Sequence, residues 1–280
     1  AEAGAFIERH RDRPFFLFLS LTAPHANNER SRTLGEGNEV PDQGPYGGRA
    51  WNDSQKNHAA MITRLDRDVG ELMARLKRLG IDERTLVLFS SDNGPHREGG
   101  PDYAPEFFSA GGPLRGIKRD LTEGGIRVPL VARWPGRIAA GAVSAHVSYF
   151  GDLMTTFAEL AGAKPPQNLD SISIVPTLLG RGAQARHAYL YWEFYERGVT
   201  QAVLFEGRWK GIRLRSPSAP IELYDLANDL GESADVAAKQ PGMVERMARL
   251  MREAHVDNEH WKIVDQEGRA SSPARAGNAR

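Results

Sequence analysis

Hydrophobic positions in the first third of the chain form short continuous runs separated by one long helical pattern. Residues 15–21 and 85–90 are apolar runs of strand length, typical of strands buried on both faces of a parallel sheet. Between them, apolar residues recur every three or four positions over residues 57–79, which predicts an amphipathic helix capped by Gly80. A strand, a helix and a strand of these lengths predict a right-handed crossover in a parallel sheet.

A different pattern begins after about residue 185. Residues 199–205 and 209–213, joined by a Glu-Gly turn, predict an antiparallel hairpin, and residues 221–226 predict a further strand. Residues 242–255 predict an amphipathic helix. The chain is therefore predicted to comprise a partial α/β domain over residues 1–185, a C-terminal antiparallel subdomain with a helix over residues 186–265, and a disordered tail over residues 266–280.

Composition excludes several classes of function. The 280 residues include 36 Lys and Arg against 36 Asp and Glu, so the broad basic field of a nucleic-acid-binding or polybasic membrane-bound protein is absent. The lack of cysteine excludes a disulfide, a thiolate zinc site and a cysteine nucleophile within this chain. Since no apolar run reaches about 18 residues, no membrane span is expected. Nothing in the sequence predicts the oligomeric state.

Asp92 and Asn93 directly follow the apolar run at residues 85–90. Ligand sites in open parallel sheets lie just beyond the carboxyl ends of strands. Carboxylate and amide oxygens are hard donors suited to Ca²⁺ or Mg²⁺, so the pair is a candidate for a metal site. The alternative is that Asn93 and Gly94 only form a turn.

A second candidate stretch combines cations with glycines shortly before the apolar segment at residues 128–132. Its side chains suit a tetrahedral oxyanion such as sulfate or phosphate, whereas charge alone favours a solvated basic loop. The cations are Arg115, Lys118, Arg119 and Arg127.

Histidine and aromatic residues supply the remaining candidates. His25 directly follows the run at residues 15–21, which places it at the same kind of strand end as Asp92. His96 has a weaker claim as a support for the metal loop, and His58 is expected near the start of a helix. The aromatic and acidic residues 192–196 either line a site for a sugar or aryl group or form an interdomain core.

Several motifs occur in one order between residues 14 and 240. They are the run at residues 15–21 into Ala23-Pro24-His25, Ile62-Thr63-Arg64-Leu65-Asp66, residues 85–95, Leu114-Arg115-Gly116-Ile117-Lys118, Glu123-Gly124-Gly125-Ile126-Arg127-Val128-Pro129, Arg133-Trp134-Pro135-Gly136, Asp152-Leu153-Met154, Trp209-Lys210 and Leu223-Tyr224-Asp225-Leu226. Together they resemble the type I sulfatase family of the alkaline phosphatase superfamily. The resemblance implies an α/β fold, in which helices flank a mostly parallel sheet and a small C-terminal antiparallel sheet carries one helix.

The resemblance also implies an activity, the hydrolysis of aryl or carbohydrate sulfate esters. In the family, a formylglycine made from the Cys or Ser of a Cys/Ser-X-Pro-X-Arg motif attacks sulfur beside a Ca²⁺ ion, for which Mg²⁺ is the less favoured alternative. Carried over, Asp92 and Asn93 resemble the second half of the calcium ligand set. Lys118 resembles the lysine that contacts the sulfate, and His25 resembles the histidine near the ester oxygen, where it helps the alcohol leave.

The sequence departs from the family pattern in its nucleophile. It contains no cysteine and no Ser-X-Pro-X-Arg segment, and the family's first acidic pair is also missing. The interpretation is a carboxyl-terminal fragment of a bacterial-type periplasmic or secreted sulfatase, inactive alone because the formylglycine belongs to a missing N-terminal segment. The alternatives are a non-catalytic sulfatase-fold protein that binds an anion or a glycan, and a phosphoesterase of the same superfamily.

Overall fold

The computed structural model describes residues 2–196 and 198–263, so the predicted disordered tail at residues 266–280 lies outside the described residues. The helices are α1 Glu2–His10, α2 Asn28–Leu34, α3 Asp53–Arg78, α4 Glu123–Ile126, α5 Asp152–Leu160, α6 Val175–Leu179 and α7 Pro241–Ala254. The strands are β1 Val87–Ser90, β2 Leu130–Arg133, β3 Tyr189–Phe194, β4 Thr200–Phe205, β5 Trp209–Arg213 and β6 Ile221–Asp225. No helix in these two ranges is both long enough and apolar enough to cross a membrane.

The chain divides into two compact units that interleave in sequence. Unit 1 contains the chain up to Gly112 together with Pro129–Val143 and Leu178–Gly180. Unit 2 contains Pro113–Val128, Ser144–Thr177 and the described chain from Arg181 onward. The boundary near residue 185 inferred from the sequence stays a prediction.

Unit 2 is built on an antiparallel sheet with the order β3-β4-β5-β6, which confirms the predicted hairpin and the strand that follows it. Phe205 pairs with Trp209 across the turn. β4 is buried along its whole length because its side chains alternate between two hydrophobic clusters. Ala202 and Leu204 belong to one cluster, while Val203 packs with Met247 and others on the opposite face, where α7 contributes.

Unit 1 is organised around the long helix α3. The helix begins at Asp53, earlier than the apolar pattern predicts, because the Asn52 side chain accepts a hydrogen bond from the backbone of Gln55 and forms a capping box. Gly80 has φ +66°, which confirms the predicted left-handed cap. Leu76 of α3 packs with Ile7 of α1 in a small core.

The predicted parallel crossover is absent from the described residues, and the structure corrects that expectation. β1 pairs with β2, and the pairing is antiparallel. Residues 15–21 are extended but join no described strand. Phe15 and Leu17 pack against the core of unit 1, whereas Phe16 and Phe18 are 66% and 76% exposed. Apolar periodicity marks a segment as strand-like, but a ladder also requires a hydrogen-bonding neighbour, and none is described beside this segment.

Candidate functional site

His25 and the loop after β1 meet in unit 1. The Nε2 atom of His25 lies 3.1 Å from a carboxylate oxygen of Glu98, and its Nδ1 atom lies 2.6 Å from the carbonyl oxygen of Ala26. The His25 ring stacks on the His96 ring with centroids 5.6 Å apart. The loop that starts with Asp92 and Asn93 therefore returns to His25 through His96 and Glu98.

Both ring nitrogens of His25 face hydrogen-bond acceptors. A carbonyl oxygen only accepts, so the Nδ1 atom donates to Ala26, and the Nε2 atom faces a carboxylate that also accepts when ionised. A ring that carries a proton on both nitrogens would satisfy both partners. An imidazolium is the form of histidine that can give a proton to a departing oxygen.

His96 supports the loop rather than contributing a second charge. Its Nδ1 atom accepts a hydrogen bond from the backbone N–H of Glu98 at 3.0 Å, so the ring proton resides on Nε2, which faces the carbonyl oxygen of Pro24 at 3.4 Å. His96 is buried. It therefore links the segment carrying His25 to the loop after β1.

His58 lies within α3 as a structural residue. Its Nε2 atom is 3.2 Å from the hydroxyl of Tyr103, and its Nδ1 atom is buried without a hydrogen-bond partner among the described residues. Burial, with a smaller contribution from the neighbouring His96, lowers the pKa of His58 to about 4. His58 is consequently neutral at pH 7.

Asp92 and Asn93 occupy the start of the loop after β1. Asp92 is exposed and forms no hydrogen bond or ion pair with the described residues, while Ser91 Oγ donates to the carbonyl of Asn93 at 2.9 Å. Their oxygens fit the chemistry of Ca²⁺, which takes about six to eight oxygen ligands. Within residues 2–196 and 198–263, however, no group of three or more His, Cys, Asp or Glu side chains forms a metal cluster. Two donors make an incomplete set, and the metal assignment stays a prediction.

Lys118 lies in unit 2, on the loop at residues 113–128. The loop is fixed to the sheet by Arg115, whose guanidinium donates to the Tyr224 hydroxyl at 2.6 Å and lies 3.3 Å from the Glu222 carboxylate. Gly116 has φ +85°, and a Cβ there would lie 2.1 Å from the Thr122 hydroxyl, so the turn before Lys118 requires glycine. Joint action of Lys118 and His25 stays a prediction.

The three arginines of the cationic stretch have carboxylate partners. Arg115 pairs with Glu222, Arg119 with Glu196, and Arg127 with Glu123. Each guanidinium is engaged by a carboxylate within its own unit, and the choice between an oxyanion site and a solvated basic loop stays open for these three residues. For Lys118, the role as oxyanion contact remains a prediction.

The structure contains a buried ionic cluster beneath this loop that the sequence analysis did not predict. Lys210 Nζ lies 2.7 Å from Glu123 Oε1 and 3.7 Å from Glu232 Oε1, and all three side chains are buried. Glu232 also accepts from the Glu123 backbone N–H at 2.7 Å. Burial raises the pKa of Glu232, and Lys210 opposes that rise. One signal was present in the sequence, since Lys210 shares its strand face with Ile212 of the core.

The aromatic residues at 192–196 divide between two faces of β3. Trp192 and Phe194 pack against the core of unit 2. On the other face, the Glu193 carboxylate accepts from the hydroxyls of Tyr191 and Tyr195 and contacts His255 Nδ1. The two aromatic rings therefore belong to the core of one unit, and the interpretations as a ligand site and as an interdomain core stay predictions.

Comparison with protein families gives two matches. The sulfatase family model matches residues 1–163, and the model described as N-sulphoglucosamine sulphohydrolase, C-terminal, matches residues 117–259. The canine N-acetylgalactosamine-6-sulfatase is 35% identical over 214 residues, which cover 75% of this chain and 36% of that protein. Human arylsulfatase A is 31% identical over 299 residues, which cover 95% of this chain and 54% of that protein.

Solved structures show the same relationship. Ps i-CgsB in complex with k-i-k-neocarrahexaose superposes with a TM-score of 0.72 at 29% identity, covering 95% of this chain and 56% of that one. A Bacteroides thetaiotaomicron protein of glycosaminoglycan metabolism, BT33336S-sulf, gives a TM-score of 0.69 at 26% identity, covering 90% of this chain and 52% of that one. The chain thus spans about a third to about half the length of the proteins it matches.

Proposed function

The chain belongs to the type I sulfatase family of the alkaline phosphatase superfamily, which confirms the family predicted from the motifs and the predicted α/β fold class. On this basis we propose that it takes part in the hydrolysis of sulfate esters. One observation carries the proposal. The match to the sulfatase model over residues 1–163 includes all four candidate site residues, His25, Asp92, Asn93 and Lys118.

His25 is assigned the proton transfer in this proposal. The ester oxygen gains negative charge as its bond to sulfur breaks, and an imidazolium at that oxygen supplies the proton that lets the alcohol leave. Glu98, 3.1 Å away, orients the ring and balances its charge. Lys118 binds the sulfate oxygens, since an ammonium stabilises an oxyanion more strongly as charge builds on it.

Asp92 and Asn93 are assigned to a divalent cation, Ca²⁺ in preference to Mg²⁺. When bound, the cation would neutralise charge on the sulfate oxygens. The two residues supply too few oxygens for a complete site, so the remaining ligands belong to another part of the protein.

The nucleophile is also assigned to another part of the protein. This chain has no cysteine and no Ser-X-Pro-X-Arg segment, so we assign the formylglycine to a segment that precedes it in a longer protein. The relatives' greater length supports this assignment. The exposure of the large apolar side chains of Phe16, Phe18 and Val131 supports it too, because further structure would remove them from water. The chain alone is then inactive.

The substrate class and location follow from the same reasoning. The names of the relatives include N-acetylgalactosamine-6-sulfatase and arylsulfatase A, and one structural neighbour is a complex with neocarrahexaose, so aryl and carbohydrate sulfates are both proposed as the substrate class. A bacterial-type periplasmic or secreted location is proposed from the family.

The test compares the 280-residue chain with the longer protein encoded by the upstream reading frame. With an aryl sulfate, a sugar sulfate and calcium, we expect turnover only from the longer protein. In it, Lys118→Ala should lower kcat/KM by about a hundredfold or more. His25→Ala should impair the sugar sulfate more than the aryl sulfate, whose better leaving group needs less proton assistance.

Asp92→Ala should instead weaken calcium binding, measured by titration, because it removes a charged ligand. Lys164→Ala is the matched control, as its side chain is exposed. Wild-type rates for both Lys118→Ala and His25→Ala on both esters would refute the assigned roles. Faster hydrolysis of an aryl phosphate than of the aryl sulfate would favour a phosphoesterase. Binding of the esters without turnover by the longer protein would favour a non-catalytic role.

A further inference from the structure

A group of partly exposed rings lies on the surface of unit 1 and is used by none of the roles assigned above. We call it the ring patch and define it as Tyr46, Trp51 and Phe107 with the guanidinium of Arg49. Tyr46 stacks on Trp51 with centroids 5.8 Å apart, and Phe107 meets Trp51 edge-on at 5.3 Å. Arg49 lies over the Trp51 ring at 5.6 Å. Phe107 is 43% exposed, so part of its ring is open to solvent beside the other members of the patch.

The guanidinium of Arg49 gives the ring patch a positive charge. Arg49 is exposed and forms no ion pair with any residue the structure describes, unlike Arg115, Arg119 and Arg127. An exposed guanidinium beside aromatic faces suits a ligand that joins an anionic group to an apolar surface.

A surface cavity of about 260 Å³ adjoins the patch. Gly44 and Pro45, the residues just before Tyr46, line it together with Thr63 and Arg64. The Tyr46 hydroxyl lies 2.9 Å from Thr63 Oγ1, which fixes the ring at the edge of the cavity. Arg64 is held by Asp42 at 2.7 Å, and both side chains line the cavity. The cavity is therefore polar where it adjoins the rings.

A continuous series of ring contacts joins the patch to His25. Trp51 contacts Phe108 at 5.6 Å, Phe108 contacts His58 at 6.0 Å, His58 contacts His96 at 5.9 Å, and His96 stacks on His25 at 5.6 Å. Three rings thus separate Trp51 from His25, all within unit 1. The patch and His25 therefore belong to the same aromatic network but do not touch each other.

We propose that the ring patch is a binding subsite for a sugar unit of a sulfated oligosaccharide, with Arg49 contacting an anionic group on that sugar. The C–H face of a sugar ring packs against aromatic faces, and a sulfate on the same ring accepts hydrogen bonds from a guanidinium. The choice of a sulfated sugar rests on the proposed function, while the existence of the subsite rests on the patch itself.

Binding by the 280-residue chain tests the subsite without any need for turnover. Calorimetry with a chondroitin sulfate hexasaccharide should show saturable binding, which the desulfated hexasaccharide should show more weakly. Arg49→Gln and Trp51→Ala should each raise Kd about tenfold or more. Arg49→Gln changes an exposed side chain and should leave the fold intact. For Trp51→Ala, a thermal unfolding transition like that of wild type would show that the variant is folded, so that its Kd can be compared.

Arg137→Ala is the matched control, since Arg137 also lies over an indole, that of Trp134, at 5.8 Å in unit 1 but outside the patch. It should leave Kd unchanged. No saturable binding by the wild-type chain at millimolar sugar, or equal Kd values for wild type and Trp51→Ala, would overturn the proposal. Loss of binding in Arg49→Gln alone would reduce the patch to an anion contact and also overturn the sugar subsite.

Failure of the proposed function gives a different result. If the longer protein hydrolyses no sulfate ester while Arg49→Gln and Trp51→Ala still weaken sugar binding, the subsite stands and the enzymatic proposal falls. If the longer protein hydrolyses sulfate esters while both variants bind the hexasaccharide like wild type, only the subsite falls.

Discussion

The two compact units differ in how they cover their extended segments. In unit 2, both faces of β4 are buried, one against the hydrophobic cluster around Leu204 and the other against α7. In unit 1, β1 and β2 form a lone antiparallel pair among the described residues, and Phe16, Phe18 and Val131 are exposed. Both faces of the sheet in unit 2 are therefore covered from within unit 2, whereas unit 1 leaves several large apolar side chains exposed to solvent.

The units also differ in what they do with charge. Unit 2 buries Lys210 between two carboxylates, one of which is Glu123 in the segment at residues 113–128 that also carries Lys118. Unit 1 places its histidine and carboxylate pair, His25 and Glu98, partly open to solvent. A rigid support benefits from burial, which strengthens its ionic contacts, whereas a group that gives a proton to a substrate must be accessible. The Lys210 cluster is buried and the pair of His25 and Glu98 is partly exposed, as these two roles require.

Breaking the buried cluster should produce the largest loss of stability. Lys210→Met removes the cation and leaves the carboxylates of Glu123 and Glu232 buried without it, which should lower the free energy of unfolding by about 3–5 kcal/mol. Denaturant titration measures the loss, with Lys164→Met, an exposed lysine, as control. Hydrogen exchange should accelerate in the loop at residues 113–128 before it does in unit 1. Equal stability of Lys210→Met and Lys164→Met would show that the cluster does not hold the loop.

A matched pair of leucines sharpens the contrast in coverage. Leu223 of β6 is fully buried in unit 2, and Leu21 in the extended segment of unit 1 is 43% exposed. Leu223→Ala should cost about 2–5 kcal/mol, because it leaves a cavity in a packed core. Leu21→Ala should cost less than about 0.5 kcal/mol, as for most exposed sites. Comparable losses from the two substitutions, measured by denaturant unfolding, would mean that the segment at residues 15–21 is covered in solution.

The sequence predicted local features better than pairings between distant segments, which is why the sheet of unit 2 was predicted better than that of unit 1. The hairpin at Glu206 and Gly207 and the helix cap at Gly80 are local features, and both are confirmed. The pairing of residues 15–21 depends on a distant neighbour, which periodicity does not encode, and here the prediction differed from the structure. For the candidate site, His25 does lie beside the loop after β1, although the segment before it forms no described strand, and its partner Glu98 was not foreseen. Partners such as Glu98 and Lys210 are set by tertiary contacts that no short motif contains.

The smallest of the three effects on stability is its dependence on pH, and it arises from His58 in unit 1. His58 in unit 1 has a pKa of about 4, against an ordinary value of about 6.5, because burial among Tyr103, Phe108 and His96 disfavours its charged form. Between these values the unfolded chain binds a proton that the folded chain does not. Stability is therefore lost as the pH falls from about 6.5 to 4, by up to about 3 kcal/mol, and His58 contributes no further loss below pH 4.

His58→Gln removes that titration while retaining a polar partner for the Tyr103 hydroxyl, so its stability should fall less steeply with acid than that of wild type. Denaturant midpoints measured from pH 7 to pH 4 give the two slopes, and the difference between them isolates His58 from groups that titrate in both proteins. His260→Gln, at a side chain 75% exposed, should keep the wild-type slope. Parallel curves for His58→Gln and wild type would mean that His58 is hydrated, and the ring contacts that connect His25 to Trp51 through His58 would then be open to water.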